Sequence, residues 1–141
     1  MSAPAKAGQI AAISHILAIL KAFRDIDPEF PMQQAEILLW IAMRPGISTR
    51  ELCDLTGLAQ ASVSRNIAAL GLVHRKGIEG KDFVTSAGDP MESRRLIYFL
   101  TSKGRSFMAG LLSKVDPSIQ FEAPTYRQFV SSITGRRYPP A

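Results

Sequence analysis

"GLAQASVSRNIAALG", residues 57–71, opens and closes on glycine. Between the two, Val63, Ile67 and Leu70 recur at helical spacing. With Val63 facing a core, Ile67 and Leu70 fall within about 40° of it at 100° per residue. Ala61 and Arg65 then point almost directly away, flanked by Ser62 and Ser64, with Gln60 in the first turn. An ordinary solvated face would carry several Lys and Glu. This one is small, polar and cationic, a shape suited to entering something narrow.

Just upstream, "STRE" at 48–51 is a capping box. The Ser48 hydroxyl can accept the amide of Glu51, and Glu51 can reach back to the amide of Ser48. The helix it starts turns Leu52 and Leu55 inward. "TGL" follows as a tight turn in which Gly57 is free to take positive φ. Two short helices joined by a glycine turn make a helix-turn-helix, here spanning about 48–75. Val73 at i+3 and His74 at i+4 from Leu70 extend the second helix to about Arg75.

On the N-terminal side, residues 1–8 are small and read as a frayed, flexible start. Ile10, Ile13, Leu17, Leu20 and Phe23 then stripe a helix over 9–26, and Ile16 and Ile19 widen the stripe beyond one packing contact. "DPEFP" stops that helix, and Pro31 opens the next, about 32–43, with Ile37, Leu38, Trp40 and Ile41 inward. On the C-terminal side, "GIEGK" reads as a loop and "DFVTS" as a strand. "AGDPMES" reads as a turn, and "RRLIYFLT" alternates like a second strand. The pair forms a hairpin over about 82–101 with its tip near 87–93. Thr101 or Ser102 caps a further helix. After Asp116 four prolines break the pattern, leaving a tail over 117–141 with room for a short helix within 125–134. The order of elements gives one domain over 9–116. Its class is α+β: mainly α, with a small β-hairpin wing on a helix-turn-helix.

Composition narrows the function. Apolar content is 46% and charged content 21%, the ordinary globular range. No apolar run approaches the ~20 residues needed to span a bilayer. Polar residues interrupt the apolar start, which lacks a clear cleavage site and reads as a soluble helix. The single cysteine, Cys53, rules out an internal disulfide framework and suits a reducing cytoplasm. It reads as a buried structural thiol rather than a redox sensor. His15 and His74 are ordinary surface or packing residues that could also sense pH. No metal site or cofactor is expected. Nor is an enzyme, since no phosphate loop, nucleophile elbow or clustered acid pair is present. Net charge is +5, distributed as −1 over 1–58, +4 over 59–113 and +2 over 114–141. The excess begins where the second helix begins, and it favours a polyanion such as nucleic acid.

"GISTRELCDLTGLAQASVSRNIAAL" followed by "DPMESRRLIYFLTSKGR" resembles the MarR-type winged-helix transcription regulators. Asp89, Pro90, Glu92, Arg94, Leu100, Thr101, Lys103, Gly104 and Arg105 stand in the order and spacing of that family's wing. The likeness covers roughly 30–110. It implies a homodimer built from N- and C-terminal helices, an inverted-repeat DNA site and a place near the dimer interface where a small-molecule effector can bind, with Phe23 and Trp40 as candidate lining residues. Two departures stand out. The segment between Leu70 and Phe83 is about eight residues longer than the family pattern, and the tail is proline-rich.

The second helix of the pair is narrow enough for the ~12 Å major groove of B-DNA. Small Ala61 and Ser side chains allow deep entry. Arg65 has the means to read guanine in bidentate fashion or to clamp a phosphate, and Gln60 to read adenine. Ser62 and Ser64 suit phosphates, which position without carrying sequence information. Ser48 and Thr49 open a helix whose amides can meet a phosphate, beside the capping role of Ser48. Arg75, Lys76 and Lys81 suit phosphates. At the wing, Arg94 or Arg95 can enter the minor groove while the other turns toward the protein. An ion pair with Asp89 or Glu92 competes with that role. The resemblance assigns the groove to Arg94. These residues predict a sequence-specific, double-stranded-DNA-binding transcription regulator. The alternatives are a DNA-binding replication, mobile-element or architectural accessory protein, and a winged-helix protein-interaction module without DNA binding.

Overall fold

The computed structural model describes residues 3, 6–75 and 78–137. Helix α1 (Ala7–Ile26) begins inside the segment expected to fray and ends at Asp27. The Asp27 carboxylate accepts the Glu29 amide at 3.0 Å and Lys81 Nζ at 3.3 Å, so the chain reverses at once. The Glu29 amide chiefly holds that carboxyl below its ordinary value, against the opposing cost of burial and with help from Lys81. Pro31 caps α2 (Met32–Met43). Ile37, Leu38 and Ile41 of α2 are fully buried, whereas Trp40 is only half-buried. Its indole N–H donates to Glu36 at 3.3 Å, and Arg44 lies over its ring.

Helix α3 (Thr49–Thr56) carries the expected capping box. The Glu51 amide donates to Ser48 Oγ at 3.2 Å and the Ser48 amide to Glu51 Oε1 at 3.1 Å. Gly57 ends α3 at φ +74°, a left-handed conformation that costs a side chain about 1–2 kcal/mol. A Cβ at Gly57 would meet nothing within 4 Å among the described residues, so strain decides its substitution. Gly57→Ala is expected to lower unfolding free energy by about 1–2 kcal/mol with the fold intact, measured by urea denaturation.

Helix α4 (Gln60–Leu70) is shorter than its sequence periodicity suggests, which corrects the extension to Arg75. Gly71 turns extended, and its amide donates to Ile67 and Ala68. The returning chain then takes the terminal carbonyls. Lys81, Phe83 and Asp82 amides donate to Ala69, Leu70 and Gly71 at 3.0, 2.8 and 2.9 Å. These are the acceptors a helix leaves open at its C-terminus. Val73 enters strand β2 (Val73–Arg75) instead, paired antiparallel with β3 (Ile78–Glu79). The extra length thus carries a second small pair of antiparallel strands, β2 and β3, in place of the expected helix extension.

The wing consists of β4 (Val84–Asp89) and β5 (Glu92–Leu100), joined at Pro90–Met91. The expected two-stranded hairpin is one strand short. Strand β1 (Ile47–Ser48) pairs with β5 opposite Tyr98 and Ile97, giving the order β1-β5-β4. Thr101 caps α5 (Ser102–Val115), accepting the Gly104 amide at 3.0 Å. Gly104 lies flat against the Phe83 carbonyl, so a Cβ there would collide with backbone. Arg105 donates to the Leu100 carbonyl at 2.9 Å. Together these contacts fasten α5 to the foot of the wing and account for glycine and arginine following Lys103.

The main core joins Phe23, the α2 residues, Leu52, Val63, Leu70, Phe83, Tyr98, Leu100, Met108 and Leu111. Ile97 and Phe99 point to the other sheet face. There α6 (Tyr126–Arg137) covers Phe99 with Tyr126 and Phe129, at ring separations of 5.7 and 5.3 Å. The Tyr126 hydroxyl donates to the Gly88 carbonyl at 3.2 Å. The tail therefore forms a helix, and that helix is seated on its own wing sheet. Along α1 only Phe23 is buried, while Ile10, Ile13, Ile16 and Leu17 are each about half exposed. Among the described residues no helix is long and apolar enough to cross a membrane.

Candidate nucleic-acid interface

The glycine turn sets α4 against α3 and α2 with Val63 and Leu70 buried. That leaves Gln60, Ala61, Ser64 and Arg65 exposed along the opposite side, as the helical wheel requires. Among the described residues no carboxylate pairs with Arg65. Its charge is open to an external anion.

Ser62 differs from its neighbours. It is half-buried, and its hydroxyl donates to Gln33 Oε1 of α2 at 3.1 Å. Ser48 is buried at 1% exposure and spent on its cap, donating in turn to Glu51 Oε1 at 3.0 Å. Thr49 is half-buried, with its hydroxyl 2.7 Å from that of Tyr98. These side chains hold the scaffold. The α3 N-terminus can still offer backbone amides at the surface.

The two wing arginines separate cleanly. Arg95 reaches Glu92 at 3.2 Å and Asp89 at 3.9 Å, and Asp89 also accepts the Met91 amide at 2.8 Å. Arg95 therefore ties the wing tip to itself. Arg94 is exposed, with no ion pair among the described residues. Both arginines border a groove of about 610 Å³ together with Ser48, Thr49, Arg50, Cys53 and Gln60. The groove brings the start of α3, the start of α4 and the wing onto one surface.

Arg50 escaped the sequence reading. It is exposed on the groove, and the capping box carried its signal, because a cap at Ser48 puts Arg50 in the first turn beside Thr49. Cys53 is half-buried, touching the core on one side and the groove on the other. Among the described residues it is a free thiol. Arg75 belongs to β2 rather than to α4. The side chains of Arg75 and His74, and Lys76 entirely, lie outside the described residues. Lys81 is committed to Asp27 and to the face of Phe30, 4.7 Å from its centroid.

A second cleft, about 500 Å³ and mainly apolar, lies between α1 and α2. Phe23 lines it with Leu20, Phe30, Met32 and Leu39, and Arg24 and Glu36 contribute charge. Trp40 is not among its lining residues.

Comparison with known proteins gives this geometry a context. Residues 29–79, from the turn after α1 to β3, match the profile of the MarR family. No match was found among curated proteins. Several solved structures share the fold. A Staphylococcus aureus MepR–DNA complex superposes with a TM-score of 0.58 at 16% identity, covering 93% of this chain and 97% of that one. RV1404 from Mycobacterium tuberculosis gives 0.55 at 14%, covering 98% and 99%. MarR itself gives 0.52 at 19%, covering 92% and 79%. The segment that holds the helix-turn-helix is thus similar to the MarR family, and the whole chain, with its wing, α1 and α5, shares the winged-helix fold of these structures.

Proposed function

We propose that this protein is a sequence-specific, double-stranded-DNA-binding transcription regulator. The observation that carries the reading is an exposed Arg65, without an ion pair among the described residues, on the small-residue face of α4, beside the groove that also holds Arg50 and Arg94. Helix α4 enters the major groove with Gln60, Ala61, Ser64 and Arg65 toward the bases, and Arg94 reaches the flanking minor groove. Arg95 holds the wing tip in shape rather than touching DNA. Arg50 and the first amides of α3 meet phosphate. The MepR structure on DNA supports this reading by its shared fold.

A second copy of the chain covers the exposed stripe of α1. Isoleucines and leucines on four successive turns would otherwise remain in water. A two-fold dimer then reads an inverted repeat. The cleft between α1 and α2 offers an apolar small-molecule effector a site beside that stripe.

Selection of sites from a random DNA pool, with purified protein at physiological salt, tests the reading. Recovery of an inverted repeat supports it. Salt-sensitive binding without enrichment would replace it with an accessory or architectural role, and no binding at all would favour an interaction module. Arg94→Ala is expected to weaken binding to selected and scrambled duplexes alike, and to reduce the slope of log affinity against log salt by about 1. Fluorescence anisotropy across a salt series checks it. An unchanged slope in the folded variant removes Arg94 from the interface.

A further inference from the structure

Helix α4 is held to α2 by more than its apolar face. Gln34 of α2 is 3% exposed, and its Nε2 donates to Asn66 Oδ1 at 3.3 Å. Asn66 Nδ2 donates in turn to the Ser62 carbonyl at 3.0 Å, and the Ser62 hydroxyl donates to Gln33 Oε1. Two adjacent glutamines of α2 thus grip two residues one turn apart on α4. The helical carbonyl of Ser62 can only accept, so it fixes the amide of Asn66, which fixes the amide of Gln34. Among the described residues, Gln34 Oε1 is left buried with no hydrogen-bond partner.

An orphaned buried acceptor costs stability, and an apolar side chain of similar shape would avoid that cost. Stability therefore does not explain a glutamine here. Direction does. Apolar burial of Val63 and Leu70 is non-directional and leaves small rotations of α4 nearly equal in energy. Hydrogen bonds at fixed positions along the helix do not. From these observations we infer that Gln34, acting through Asn66, is a positioning residue that sets the rotation of α4 and hence its sequence preference. Arg65 sits next to Asn66 in the chain, so any turn of the helix that moves the amide also moves the guanidinium across the groove.

The inference rests on the DNA-binding reading, and the test separates the two. Gln34→Met keeps length and apolar bulk while removing the amide. It is expected to melt at or above the wild-type temperature and to bind scrambled duplex as the wild type does. Its preference for the selected site over scrambled duplex should fall about tenfold, within the range of one mismatched base pair. Asn66→Met breaks the bridge from the other side. The double variant should lose no more preference than either single one, since both act through one link. Preference equal to wild type in Gln34→Met, or additive losses in the double variant, would overturn the inference while leaving the function intact. A marked fall in melting temperature with preference retained would make the bridge merely structural. A wild-type protein with no preference at all would overturn the function and this inference with it.

Discussion

Phe99→Ala is expected to lower the unfolding free energy by about 3–5 kcal/mol, the cost of deleting a fully enclosed phenyl ring. Phe99 is completely buried, yet it stands outside the main core. Its ring is enclosed on the outer sheet face, where the edges of Tyr126 and Phe129 meet it. Truncation leaves a cavity under α6 and removes the aromatic contacts that seat that helix. Urea unfolding should show the lower midpoint. Amides of 126–137 should exchange faster than those of α2 by a larger factor than in the wild type. A midpoint within error of wild type would mean that α6 contributes no enclosure in solution.

Arg65→Ala should weaken binding to the selected site by about 1–3 kcal/mol if the guanidinium reads a base. Its side chain is exposed and unpaired among the described residues, so removal should leave the melting temperature near wild type. Scrambled duplex should lose much less affinity than the selected site. A uniform loss on both would make Arg65 a phosphate clamp, and undiminished affinity on the selected site would remove it from the interface. The contrast with Arg94→Ala is informative, because that change should act evenly across sequences.

Features closed by neighbours in the chain were legible in the sequence. The Ser48–Glu51 cap, the left-handed Gly57, the Pro31 start of α2 and the wing turn after Asp89 each depend on a few adjacent residues. The outward face of α4 was legible too, because periodicity fixes it once Val63 is inside. Features closed by distant residues were not. Nothing near Ile47 announces that it pairs with Tyr98. The end of α4 was misread because Val73 and His74 continue its spacing, while the deciding amides come from residues 81–83. The α1 stripe was visible as apolar, but periodicity does not tell a core face from an exposed one. For the wing, the sequence left both arginines able to pair with Asp89 or Glu92. The bend at the tip, with Asp89 opposite Glu92, gives both acids to Arg95.

The seat of α6 has a consequence for how the protein is made. Strand β5 leaves the ribosome before residues 126–137 have been synthesised, and chains begin folding from their N-terminal side. The main core can close on Tyr98 and Leu100 as soon as α5 is available. At that moment the opposite face of the same strand, with Phe99, has no cover. For the time needed to add about 14 residues, roughly 1–3 s at 5–20 residues per second, the nascent chain carries an aromatic sheet face open to water and to other chains. Arrival of Tyr126 and Phe129 ends that interval, so α6 acts as the chain's own late-arriving chaperone for its wing.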